Sequence, residues 1–107
     1  MDHPNYYAII PASVRYDNRL TGDEKIMYGE LSALSNKNGY CWASNGYFAK
    51  LYGITPQGIS KRIHGLEEAG YIRIVFQVKE NGVRERRISI LDPGLNNKGD
   101  QPGVEGG

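Results

Sequence analysis

An α+β fold, a three-helix core followed by a β-hairpin, is predicted by three observations on this 107-residue chain. Three apolar stripes at helical spacing each begin just after a hydroxyl residue able to cap a helix: Thr21, Ser44 and Thr55. Two of those helices meet at Gly53-Ile54, too few residues for anything but a tight turn. Directly after Gly70 the apolar period changes from helical to two, and an Asn-Gly pair follows ten residues on.

The elements follow in order. Tyr6 to Ile10 is aromatic and β-branched and reads as an extended segment that Pro11 ends. Pro11 to Tyr16 has room for one helical turn before Asp17-Asn18 breaks the chain. Thr21-Gly22-Asp23-Glu24 has the capping-box form, a hydroxyl with a carboxylate three residues later. Ile26, Met27, Leu31 and Leu34 carry that helix to Asn36-Lys37-Asn38-Gly39, and Tyr40-Cys41-Trp42 reads as a short strand with Trp42 in the core. Ser44 caps a helix of about two turns bearing Tyr47, Phe48, Leu51 and Tyr52. Thr55-Pro56 then opens the third helix, with proline at the first helical position where its missing N–H costs nothing. Ile59, Ile63 and Leu66 face inward, and Gly70 stops the helix.

In the final hairpin Ile72, Ile74, Phe76 and Val78 form one face, alternating with Tyr71, Arg73, Val75 and Gln77. Ile88 and Ile90 return on the inner face after Asn81-Gly82. A hairpin directly after the second helix of a helix-turn-helix is a wing, so the architecture is a winged helix-turn-helix over residues 1–91. Residues 92–107 are rich in Gly, Asn, Asp, Gln and Pro. They bury too little apolar surface to offset chain entropy and read as a linker or disordered tail leading toward a further domain.

Composition removes several functional classes. One cysteine, Cys41, forms no internal disulfide, and with His3 and His64 it makes no metal-ligand spacing. The N-terminus has no basic segment leading into an apolar stretch, and no apolar run approaches membrane-spanning length, so a cytoplasmic protein is expected. Tyr6-Tyr7 has neither a histidine pair nor an acidic cluster beside it and is read as packing. With no nucleophile–base set and no phosphate-binding glycine loop, neither an enzyme nor a cofactor is expected.

Charge distribution is more informative than the net charge of +1. Residues 1–54 hold five basic and five acidic side chains, whereas residues 55–91 hold seven basic against four acidic. The excess lies in the stretch that forms the third helix and the wing, the parts of this fold that meet the major groove and the phosphate backbone of double-stranded DNA. On the third helix, Gln57, Ser60, Lys61 and His64 form one outward stripe. Gln57 can pair with adenine, Lys61 can reach guanine acceptors, and Ser60 suits either base type. Thr55 and the helix N-terminus can hold a phosphate, Gly58 allows close backbone approach to DNA or to the preceding helix, and Arg62 adds a cation. Glu67-Glu68 repels phosphate from the far end. The wing offers Lys79, Asn81, Arg84, Arg86 and Arg87, with Glu80 and Glu85 as competing partners inside the hairpin. Ser44 and Asn45, at the N-terminus of the preceding helix, are further phosphate candidates.

Several phrases carry a resemblance: Tyr7-Ala8-Ile9-Ile10-Pro11-Ala12, Leu20 to Leu34, Gly39-Tyr40-Cys41-Trp42-Ala43-Ser44, Phe48-Ala49, Tyr52-Gly53-Ile54 and Leu66-Glu67-Glu68-Ala69-Gly70-Tyr71-Ile72. Together they resemble the N-terminal winged helix domain of plasmid and phage replication initiators and replisome organisers of Gram-positive bacteria, relatives of DnaD-type primosomal proteins. The resemblance implies recognition of repeated sites at a replication origin, with host replication proteins recruited through a C-terminal region expected to be absent from residues 1–107. A homodimer on repeated sites is compatible with one helix reading only a few base pairs. A transcriptional regulator would make the same DNA contacts, and a primosomal protein–protein interaction module would share the fold without reading DNA.

Overall fold

The computed structural model describes Pro4 and residues 6–91. The expected tail at 92–107 lies outside the described residues. Six elements follow one another: α1 (Ala12–Arg15), α2 (Gly22–Ser35), α3 (Asn45–Tyr52), α4 (Pro56–Glu68), β1 (Ile72–Val78) and β2 (Arg84–Ile90). The expected three-helix core is α2, α3 and α4, and α1 is the single turn expected after Pro11.

Each predicted cap is used. Thr21 Oγ1 accepts from the Glu24 N–H at 3.1 Å while the Glu24 carboxylate accepts from the Thr21 N–H at 2.8 Å, completing the capping box. Ser44 Oγ accepts from Tyr47 N–H and Thr55 Oγ1 from Gly58 N–H, both at 3.1 Å. Helix α4 ends in a Schellman arrangement: the Gly70 N–H donates to Glu67 O and the Tyr71 N–H to Leu66 O, with Gly70 at φ +86°. That geometry turns Tyr71 inward, so it is buried although its parity with Arg73 suggested the outer face. Its ring meets Tyr28 edge-on, and its hydroxyl donates to Asp17 and Ser13 O at 2.6 and 3.0 Å.

Strands β1 and β2 pair antiparallel from Ile72↔Ile90 to Val78↔Arg84. Lys79 N–H donates to Val83 O and Gly82 N–H to Lys79 O, so the turn is a three-residue loop, Glu80 to Gly82, with Gly82 at φ +82°. The expected third strand is one bridge, Cys41↔Ile88. The core gathers Val14, Met27, Leu31, Phe48, Ile59, Leu66, Ile72 and Ile88, all fully enclosed, with Cys41 among them.

Several apolar expectations are corrected by how far that core extends. Trp42 is not in the core but 51% exposed: Cys41 takes the inward position of the bridge, and the next side chain points out, beside the Tyr40 ring. Phe76 and Val78 share a face with Ile72 and Ile74 but are exposed, because the hairpin projects past the helices. Ile26 is exposed on α2, and Tyr7 is exposed and not packed. Tyr6 is held differently, its hydroxyl donating to Glu30, whose other oxygen accepts from Tyr52 OH at 2.9 Å. Burial and the Glu30 carboxylate raise both tyrosines far above their ordinary pKa. Among the described residues no helix is long and apolar enough to cross a membrane.

Candidate nucleic-acid interface

Helices α3 and α4 are joined by Gly53, Ile54 and Thr55. Gly53 sits at φ +69°, a conformation costly for other residues, and its N–H and that of Ile54 both donate to Ala49 O. Ile54 packs against the core and lies under the first turn of α4. A Cβ on Gly58 would stand 3.2 Å from Ile54 Cδ1 and 3.5 Å from Thr55 Oγ1, so the close approach expected at Gly58 is to this turn. A second glycine was not singled out from the sequence: a Cβ on Gly65 would collide with the Glu24 carboxylate. Gly65 thus lets α4 lie against the capping box of α2.

With its inward stripe, Ile59, Ile63 and Leu66, buried, α4 presents Gln57, Ser60, Lys61 and His64 to solvent. They fall at i, i+3, i+4 and i+7, on one face. The side chains of Gln57, Ser60 and Lys61 make no hydrogen bond or ion pair among the described residues. His64 Nε2 lies 3.0 Å from Glu68, so one acidic residue at the far end is engaged by the stripe itself. Arg62 is not brought to this face: its guanidinium lies 3.5 Å from Asp23 and over the Tyr52 ring, tying α4 to α2 and α3.

The wing cations are more committed. Glu85 accepts from Arg87 at 2.9 Å and lies 3.2 Å from Lys79, and these two cations hold its carboxyl below the usual range. Arg87 also stacks on Tyr40 and Arg84 on Phe76, each at 4.4 Å from the ring centroid. Asn81 Oδ1 accepts from Val83 N–H and shapes the turn. Arg86 does not project with Arg84: Nη1 donates to Asn45 Oδ1 and Nη2 to Ala43 O, both at 2.8 Å. Ser44 and Asn45 therefore both have intramolecular duties, one as cap and one as acceptor for Arg86. Between α4 and the wing runs an open groove of about 290 Å³, lined by Ser60, His64, Glu67, Ile74, Phe76 and Arg86.

A tight glycine turn between two capped helices, the second with an unencumbered polar face, is the defining geometry of a helix-turn-helix. The family model described as a helix-turn-helix domain matches residues 18–72, just over half of the chain. The chain belongs to the helix-turn-helix domain family. The matched stretch runs from just before the cap of α2 to the first residue of β1, so it spans the whole motif and stops where the wing begins. Among the described residues, four helices and a two-stranded sheet make this helix-turn-helix domain a winged one. The family membership gives the domain DNA as its partner. No curated protein and no solved structure matches the chain.

Proposed function

We propose that this helix-turn-helix domain recognises specific double-stranded DNA, with α4 in the major groove and the wing along the backbone. The observation that carries the reading is the free outward stripe of Gln57, Ser60 and Lys61, whose hydrogen-bonding groups have no partners within the described residues. A buried or internally paired face could not read base edges; this one can, with Gln57 suited to adenine and Lys61 to guanine. Thr55 keeps α4 capped, and Lys79, Arg84 and Arg87 supply the phosphate contacts of the wing, while Glu67 and Glu68 keep the far end of α4 clear of the backbone. The module binds and does no covalent chemistry.

The biological setting we propose is the origin of a plasmid or phage replicon, where the chain acts as the DNA-binding part of a replication initiator in the cytoplasm. The support is the resemblance over Tyr7 to Ile72, including Gly39-Tyr40-Cys41-Trp42-Ala43-Ser44. Repeated origin sites would place two copies side by side.

The test is titration of the domain on a duplex from its own replicon's origin and on a scrambled duplex, each at two salt concentrations. Tighter binding to the origin duplex at both salts is expected. Equal affinity for the two duplexes would sink sequence-specific recognition, and absence of binding to either at low salt would leave a protein-interaction module as the better reading.

A further inference from the structure

Arg86 is the last side chain of the hairpin with an anchor outside it. From Phe76 through Arg84 every residue is exposed, and the cations there, Lys79 and Arg84, meet the wing residues Glu85 and Phe76; Arg87, one residue nearer the core than Arg86, stacks on Tyr40. Two residues toward the core from Arg86, Ile88 exchanges two 2.8 Å backbone hydrogen bonds with Cys41. Arg86 extends that seam with two bonds of its own, reaching a backbone carbonyl and a side-chain carbonyl of the segment that opens α3. The fork geometry of a guanidinium suits two acceptors at once, and a single ammonium nitrogen does not reproduce it. Burial also lowers the Arg86 pKa, so the group is partly withdrawn from the water through which a phosphate would approach. Its place is between two grooves, one shared with Ser60 and His64 of α4, the other with Ser44, Lys79 and Arg84.

We propose that Arg86 is a positioning residue for DNA binding: by bridging Ala43 O and Asn45 Oδ1 it pins the wing to the opening of α3, and so sets the distance between the wing cations and the reading face of α4. The inference rests on the DNA-binding reading above, but half of its test does not. A phosphate contact through Arg86 would make charge the property that matters; a pin makes the two-acceptor geometry matter.

The experiment compares the intact chain with Arg86→Lys, Arg86→Gln and Asn45→Ala, using backbone amide ¹⁵N relaxation without DNA and duplex titration at several salt concentrations. In Arg86→Lys and Arg86→Gln the order parameters at Gln77 and Glu85 are expected to fall from about 0.85 toward 0.6 while α2 and α4 stay rigid. Arg86→Lys, although still charged, is expected to lose about tenfold in affinity, the scale of one or two charge-assisted hydrogen bonds. Combining Asn45→Ala with Arg86→Lys should add nearly nothing, because the two changes break the same link. Wing order unchanged in both arginine variants would overturn the proposal, whether or not the domain binds DNA. So would full affinity in Arg86→Lys together with a salt slope reduced by about one in Arg86→Gln, the signature of a direct phosphate contact. If the intact chain bound no duplex, the functional reading would fail and the relaxation result would still decide the pin.

Discussion

Helix α4 and the wing both carry cations, two against two acidic residues on α4 and an excess on the wing, yet they are built for different work. Helix α4 is held along its length. Thr55 caps it, Ile54 lies beneath its first turn, Gly65 seats it on α2, and Tyr71 ties its end to Asp17 and Ser13. Its outward Gln57, Ser60 and Lys61 side chains have no partner among the described residues. The wing is held near its base, by the Cys41 bridge, Arg86 and the stack of Arg87 on Tyr40, and most of its charge is spent on contacts close at hand. A reader of base edges needs fixed geometry and unsatisfied hydrogen-bonding groups. A clamp on phosphates tolerates motion, since charge acts over several ångströms without directionality. Counting cations would have ranked the wing as the stronger electrostatic element; counting free ones narrows the difference.

The largest effect that tests this comparison is on stability. Ile59 is fully enclosed beneath α4, and Ile59→Ala should cost about 2–4 kcal/mol. Val78→Ala on the projecting wing, where the side chain is 62% exposed, should cost less than about 1 kcal/mol. Urea unfolding of both variants checks the contrast, and similar losses would mean that the wing is packed in a way its exposure does not suggest.

Next is the reading face. Lys61→Ala is expected to reduce the preference for the origin duplex over scrambled DNA by about tenfold, by removing one base contact. Competition titration measures it, and an unchanged preference would move the reading role elsewhere on α4.

A smaller effect, of opposite sign, is expected from Glu85→Gln. Without its carboxylate Lys79 and Arg87 are released, and affinity for any duplex should rise about two- to fivefold, the scale of exposed ion pairs. The salt dependence should become steeper, and a flat response would show that these two cations do not face the backbone.

The smallest effect concerns the anchorage of α4 in acid. Asp17 accepts from Arg19 and from Tyr71 OH, and these bonds hold its carboxyl well below the ordinary carboxylate range. A depressed native pKa adds stability above the unfolded value of about 4, and that stability is lost as pH falls through the native value. Arg19→Ala should therefore be less stable than the parent chain at pH 7, and the deficit should shrink as the pH is taken below about 4. Urea midpoints at the two pH values test the sign, and a deficit independent of pH would remove Asp17 from the account.

Much of the candidate site was legible because α4 declares itself locally. A cap at Thr55, proline after it, an inward stripe at Ile59, Ile63 and Leu66 and a stop at Gly70 leave few choices for the outward face. The wing was legible as a hairpin but not as a set of contacts. Arg86 and Arg84 share a face, and alternation cannot tell that one turns back to Ala43 while the other lies on Phe76. Trp42 and Phe76 were misplaced for a related reason: period two assigns a face to a side chain but not the distance to which the core covers that face.

What the sequence alone determined here are the features settled within a few residues: three capped helix starts, the glycine ends at Gly53 and Gly70, and the Glu80–Gly82 turn. Their hydrogen bonds close between neighbours, so the residues that form them are adjacent on the page. Tertiary structure alone decided which charges remain available, because those choices are made between groups far apart in sequence. Arg86 meets its acceptors 41 and 43 residues away, and Tyr71 meets Ser13 at a separation of 58. Each such partner is chosen by packing around Ile59, Leu66 and Ile88, after which an arginine bonds to whichever carbonyl the core has brought within reach.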